Sequence, residues 1–186
     1  MRARMALKLA NIEVEVREIS LRDKPVHMLQ VSPKATVPIL ILQDGSVIDE
    51  SLEIMLFALK QHSLQTNIHA PSSALIFEND SSFKQALDAY KYPERHPNKT
   101  QTQHREQGEM FLQKLENLLQ QNTYLLEDTP SLADMAIFPF IRQFAAVDNA
   151  WWESAAYPKL RAWLNGWIES ELFKSVMQKQ AVYTTM

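Results

Sequence analysis

Three short stretches combine residue types that could hold or position a ligand. Asp49-Glu50-Ser51 stands where a turn gives way to a helical run. The first N–H groups of a helix have no partner within it, and the helix dipole is positive there. Such a start is a seat for a carboxylate. Ser51 adds a hydroxyl donor, and Glu50 suits an ammonium group. A ligand carrying both groups, such as the α-amino-acid end of a peptide, matches that pair. The competing reading is N-capping by Asp49 with Glu in the first turn, and taken alone it is the commoner one. The second stretch is Thr36-Val37-Pro38. Proline at the start of a strand donates no ladder hydrogen bond. A cis bond there would turn the backbone groups of Val37 outwards, although most X-Pro bonds are trans. The third is Ser131-Leu132-Ala133-Asp134. It reads as a capping box with Asp in place of Glu or Gln, whose work is to start and orient a buried helix.

Composition removes several other chemistries. None of the 186 residues is cysteine, which excludes from them a disulfide, a zinc-thiolate site, an iron–sulfur cluster and a thiol nucleophile. Gly45, Gly108 and Gly166 are the only glycines, too far apart for a dinucleotide fingerprint or a phosphate loop. His27, His62, His69, His96 and His104 show no metal-ligand spacing, so surface positions and no metal are expected. A net charge of −3 argues against broad binding to nucleic acid or to an anionic membrane surface. No apolar run approaches the roughly 20 residues that span a bilayer. Met1–Leu7 is basic but lacks the apolar core of a secretory signal, so the cytoplasm is the expected compartment.

These stretches need elements to position them. Arg2–Leu9 has a helical pattern ended by Asn11. Ile12–Arg17 alternates strictly and predicts a strand with one buried face. A short helix is expected over Lys24–Gln30. The apolar run Val37–Leu42, the Asp44-Gly45 turn and Ser46-Val47-Ile48 together predict a hairpin. A helix follows over Asp49–Gln61, with Leu52, Met55, Leu56 and Leu59 on one face. After it the chain is helical. Ala74–Tyr92 predicts one helix, with a break near Asn79-Asp80-Ser81. Thr100–Gln121 carries an apolar stripe of Phe111, Leu112, Leu115, Leu118 and Leu119. Ser131–Val147 is apolar on nearly every side and should be central, and Tyr157–Glu169 and Glu171–Lys179 complete a bundle. Trp163 and Trp167, four apart on one helix, should pack into its core. The expected organisation is a small α/β domain over 1–62, a linker over 63–73 and an all-α domain over 74–186.

In order and spacing these pieces resemble the glutathione S-transferase superfamily along nearly the whole chain. The carriers are Ser32-Pro33-Lys34-Ala35-Thr36-Val37-Pro38-Ile39-Leu40, Asp44-Gly45, Ile48-Asp49-Glu50-Ser51-Leu52-Glu53-Ile54, and Ser131-Leu132-Ala133-Asp134 before Met135-Ala136-Ile137. They are similar to the family's P-x-G-x-V-P-x-L, D-G, I-x-E-S-x-x-I and C-terminal capping-box motifs. The resemblance implies a thioredoxin-like N-terminal domain, an all-α helical bundle domain and a homodimer. It implies a cis Val37–Pro38 bond, with the Val37 backbone pairing with the cysteinyl part of glutathione. Glu50 and Ser51 would hold the γ-glutamyl end. An electrophile would meet the helical domain, with Tyr90, Tyr92 and Phe144 as candidate linings.

One departure concerns the start. Met1–Leu7 resembles the interior of the family's first helix, so the α/β domain is expected to be incomplete, its first strand and catalytic turn missing. By ordinary element lengths that is roughly a dozen residues. Each backbone group orphaned in a buried sheet costs on the order of 1–3 kcal/mol, so the N-terminal region is expected to rearrange, or a segment of another chain to fill the gap. The function implied is glutathione binding, with transfer to an electrophile or thiol exchange in a full-length form. No catalytic residue is assigned within the chain. The alternative is a non-catalytic binding or scaffold protein acting through protein contacts.

Overall fold

The computed structural model describes residues 1–61 and 70–183. Contacts group the chain into two compact units, Met1–Thr66 with Glu171–Met186, and Asn67–Ser170. In the first unit, α1 (Arg2–Leu9) packs against α3 (Ser51–Gln61) and α10 (Glu171–Val176). Met5 and Ala6 of α1 are fully buried, as are Met55 and Ala58 of α3, and Phe173 comes from α10. The buried face of α3 is Ile54, Met55, Ala58 and Leu59, turned from the expected face, so that Leu52 and Leu56 are half-buried. A short α2 (Val26–Val31) precedes the hairpin of β1 (Leu40–Ile41) and β2 (Val47–Ile48). Gly45 at its turn has φ 85°, a conformation that glycine adopts without steric cost.

The strand expected at Ile12–Arg17 is not formed. Alternation makes a strand only where a neighbour supplies ladder partners, and the sheet among the described residues is the two-stranded hairpin alone. Val14 and Val16 are accordingly exposed. The segment is tied at its far end, where Glu18 bridges Val182 and accepts from the Tyr183 N–H at 2.7 Å. The Arg17 guanidinium lies 4.9 Å from the centre of the Tyr183 ring. The last helix, expected with the bundle, thus groups with the first unit.

The second unit is helical. Residues 63–69 of the expected linker lie outside the described residues, as do His62 and His69, and Ala70 already opens α4 (Ala70–Glu78). The irregularity expected near Asn79-Asp80-Ser81 is a π-helical turn over Asn79–Phe83, continuous with α5 (Lys84–Lys91). A run of Asn, Asp and two Ser is poor helix former, and its hydroxyls compete for backbone carbonyls. Ser81 Oγ donates to Phe77 O at 2.6 Å, and Ser82 Oγ to Glu78 O at 3.2 Å. The remaining helices are α6 (Gln101–Leu119), α7 (Leu132–Ala145), α8 (Asn149–Ser154) and α9 (Pro158–Glu169). Helix α7 is central, packing against α4, α5 and α9. Two aromatic clusters fill the core: Phe83, Tyr90, Phe111 and Phe144, and Phe138 with Trp163 and Trp167. His104, expected on the surface, is 5% exposed, its Nε2 3.0 Å from the His96 carbonyl, which makes Nε2 the protonated nitrogen.

Candidate functional site

The hairpin sets the geometry of the site. Its register pairs Leu40 with Ile48 and Ile41 with Val47. Continued past the ladder, the same register sets Pro38 across from Glu50, and Ser51 begins α3. Two residues twelve positions apart in sequence are therefore opposite one another by register. The turn itself is pinned by Ser46, whose N–H and hydroxyl both donate to Asp44 Oδ1, at 2.9 and 2.6 Å. Those donors hold the Asp44 carboxyl below its ordinary value.

The Val37–Pro38 peptide is cis, and Val37 is half exposed. The loop before it is tied to the start of α3 by side chains. Ser32 is buried and donates to Asp49 Oδ2 at 2.9 Å. Lys34 Nζ lies 3.0 Å from Asp49 Oδ1 and 2.9 Å from Glu50 Oε1. The bonds from Lys34 and Ser32 hold the Asp49 carboxyl below the usual range, and Glu50 and Asp49 push the Lys34 ammonium well above its own. Ala35, between them, has φ 54°, a left-handed conformation that a non-glycine residue adopts at a cost. Such strain gathers where surrounding structure dictates the backbone path.

The arrangement puts Ser51 at the start of α3, next to Glu50, whose carboxylate faces an ammonium. That ammonium belongs to Lys34, a residue that spacing alone did not single out. Its signal was a basic side chain just ahead of the Thr36-Val37-Pro38 turn.

The other candidate residues lie in the second unit. The Ser131 side chain accepts from the Asp134 N–H, and the Asp134 carboxylate accepts from the Ser131 N–H, which makes a reciprocal capping box at α7. Asp134 is fully buried and also accepts from Leu125 N at 2.9 Å and Trp163 Nε1 at 2.8 Å. It is a structural hub. Tyr90 and Phe144, candidate linings for an electrophile, are 2% and 0% exposed in the aromatic cluster, so they are packing residues here. Tyr92 lies under the cations of Lys91 and Arg95. None of the three lines the cavity of about 1200 Å³ along α5 and α6, whose walls include Leu87, Asp88, His104 and Phe111. Among the described residues no group of His, Cys, Asp and Glu is placed to hold a metal. None of the described helices is long and apolar enough to cross a membrane.

Comparison with known proteins gives the same architecture. Residues 1–66 match the glutathione S-transferase N-terminal domain family, and residues 82–166 match the C-terminal domain family. The fold is similar to BphK, a bacterial glutathione S-transferase solved as a ternary complex, at 21% identity and TM-score 0.79, over 95% of this chain and 92% of that one. It is similar to the transferase URE2P6 of Phanerochaete chrysosporium, solved with oxidized glutathione, at 16% identity and TM-score 0.80, over 94% and 88%. A Burkholderia graminis glutathione transferase with two bound glutathione molecules per subunit matches at 14% identity and TM-score 0.82, over 97% and 84%. With a thioredoxin-like N-terminal domain built on a small sheet and a helical C-terminal domain, the chain belongs to the glutathione S-transferase family.

Proposed function

We propose that this chain binds glutathione at the start of α3, with Glu50 facing the γ-glutamyl ammonium and Ser51 and the first-turn N–H groups facing its carboxylate. Val37 and Pro38 would carry the backbone contact to the cysteinyl part. The observation that supports this reading best is the hairpin register, which, counted on past the Leu40–Ile48 pair, sets Pro38 opposite Glu50. The reaction would be glutathione transfer to an electrophile or thiol exchange, in a cytoplasmic homodimer. No residue of this chain is assigned to activate the thiol.

Retention on glutathione-agarose tests the binding step. Ser51→Ala removes one hydrogen bond to a charged group, worth about 1.5–3 kcal/mol, so affinity should fall about tenfold or more. Unchanged retention would remove Ser51 from the site. Turnover of a model electrophile by these 186 residues would refute the expectation that they lack a thiol-activating group. Absence of glutathione affinity together with a stable protein partner in pull-down would favour the scaffold reading instead.

A further inference from the structure

The seat proposed for the ligand's ammonium already holds one. Lys34 Nζ is 2.9 Å from Glu50 Oε1, the distance at which a bound α-ammonium would sit. The same Nζ is 3.0 Å from Asp49 Oδ1, and Asp49 is anchored in turn by the buried Ser32 hydroxyl. Lys34 can therefore leave Glu50 without becoming a lone charge. The side chains of Lys34 and Glu50 are 52% and 57% exposed, so a ligand can reach the pair.

We propose that Lys34 is an internal counter-ion that competes with the ligand's ammonium for Glu50, and that it sets how strongly the site selects ligands with a free α-ammonium. This rests on the glutathione reading above. With Lys34 on Glu50, the ammonium of a ligand gains only the difference between two similar ion pairs. With Lys34 removed, it gains a whole one. A solvent-exposed pair changes an equilibrium by about two- to fivefold. Lys34 also lends positive charge to any ligand carboxylate nearby, but that contribution is common to ligands with and without the ammonium and cancels in their ratio.

The test is calorimetric titration of the full chain with glutathione and with glutathione acetylated at its α-amine. The readout is the ratio of the two dissociation constants. Lys34→Met should widen the preference for free glutathione about two- to fivefold, and Lys34→Arg should leave it at the starting value. The widening should shrink at about 1 M salt, where exposed charges are screened within about 3 Å. A second readout needs no substitution: the Lys34 Nζ nitrogen resonance should move on adding glutathione and stay put with the acetylated form. A ratio unchanged or narrowed in Lys34→Met, or a Lys34 resonance that responds alike to both ligands, overturns the proposal while leaving glutathione binding intact. If neither ligand binds the unsubstituted chain, the glutathione reading fails first, and the competition at Glu50 falls with it.

Discussion

Removing the Asp134 carboxylate should unfasten the second unit. It accepts from Leu125 N, Ser131 N, Ser131 Oγ and Trp163 Nε1, which come from the loop before α7, the cap of α7, and α9. In Asp134→Ala the Leu125 N–H and the Trp163 indole N–H stay buried without an acceptor, at about 1–3 kcal/mol each. Loss of the reciprocal cap adds about 1 kcal/mol. Relief of the desolvated carboxyl returns part of this, so a net loss of about 4 kcal/mol is expected. For a chain of 186 residues unfolding as a whole, that lowers Tm by roughly 10 °C. Asp134→Asn should fall between. Its oxygen, placed at the Oδ1 position, keeps Leu125 and Trp163, while its amide meets the Ser131 N–H. Burial pushes the Asp134 carboxyl above its ordinary value, against the pull of its donors. A raised value in the folded state means the folded chain holds the proton more tightly than the unfolded chain. Its contribution is then full below the ordinary carboxylate range and declines as pH rises through the raised value. Asp134→Asn should lack that decline. Urea and thermal unfolding followed by circular dichroism would measure each variant across pH 4–8. An Asp134→Ala protein within about 1 kcal/mol of the parent would refute the hub, because one orphaned donor alone exceeds that.

Further outcomes follow from other contacts. A Cβ on Gly108 would clash with Phe144 Cε2, and that ring is held by Phe83, Tyr90 and Trp151, so Gly108→Ala should cost about 1–3 kcal/mol, readable in urea unfolding. Tyr157 donates to Glu109 Oε2 at 3.0 Å, and burial first, then the Glu109 charge, pushes its phenol up to about 12. Titration at 295 nm should show a late phenol that Tyr157→Phe removes, and stability should decline as pH rises from about 10 towards that value; a single wave near pH 10 for all tyrosines would contradict this. Ala35→Gly should stabilise the chain by about 0.5 kcal/mol, since relief of the left-handed conformation exceeds glycine's extra chain entropy; a loss of stability in thermal unfolding would show that the φ of 54° carries no strain.

What was legible in the sequence is what a few adjacent residues decide among themselves. The Asp44-Gly45 turn, the Ser131–Asp134 box and the stripe of α6 are short-range patterns, and the structure contains each. The π-helical turn also announced itself as a weak helical stretch at Asn79-Asp80-Ser81. The misses depend on distant partners. Ile12–Arg17 has the period of a strand, but period supplies no neighbour. Helix α9 opens at Tyr157-Pro158 with no local side-chain cap; Glu116 on α6 caps it, accepting from Lys159 N at 3.2 Å and Leu160 N at 2.8 Å. The Lys34 link to Asp49 and Glu50 spans the hairpin, so it exists only once the register is set.

The two Ser–acid pairs separate on that same ground. Ser131 and Asp134, like Ser51 and Glu50, stand at a helix start, and by residue type either pair could meet a ligand. Asp134 is 0% exposed and its donors are fixed backbone, hydroxyl and indole groups, so no ligand can replace them without opening the core. The Glu50 side chain is 57% exposed, and its ammonium partner sits on a long, half-exposed stem with a second carboxylate within reach. An exchangeable partner is what a binding carboxylate needs, and a fixed one is what a structural carboxylate needs. Burial and partner exchangeability, which residue type does not encode, therefore favour α3 over α7 for the proposed ligand and leave α7 the architectural task.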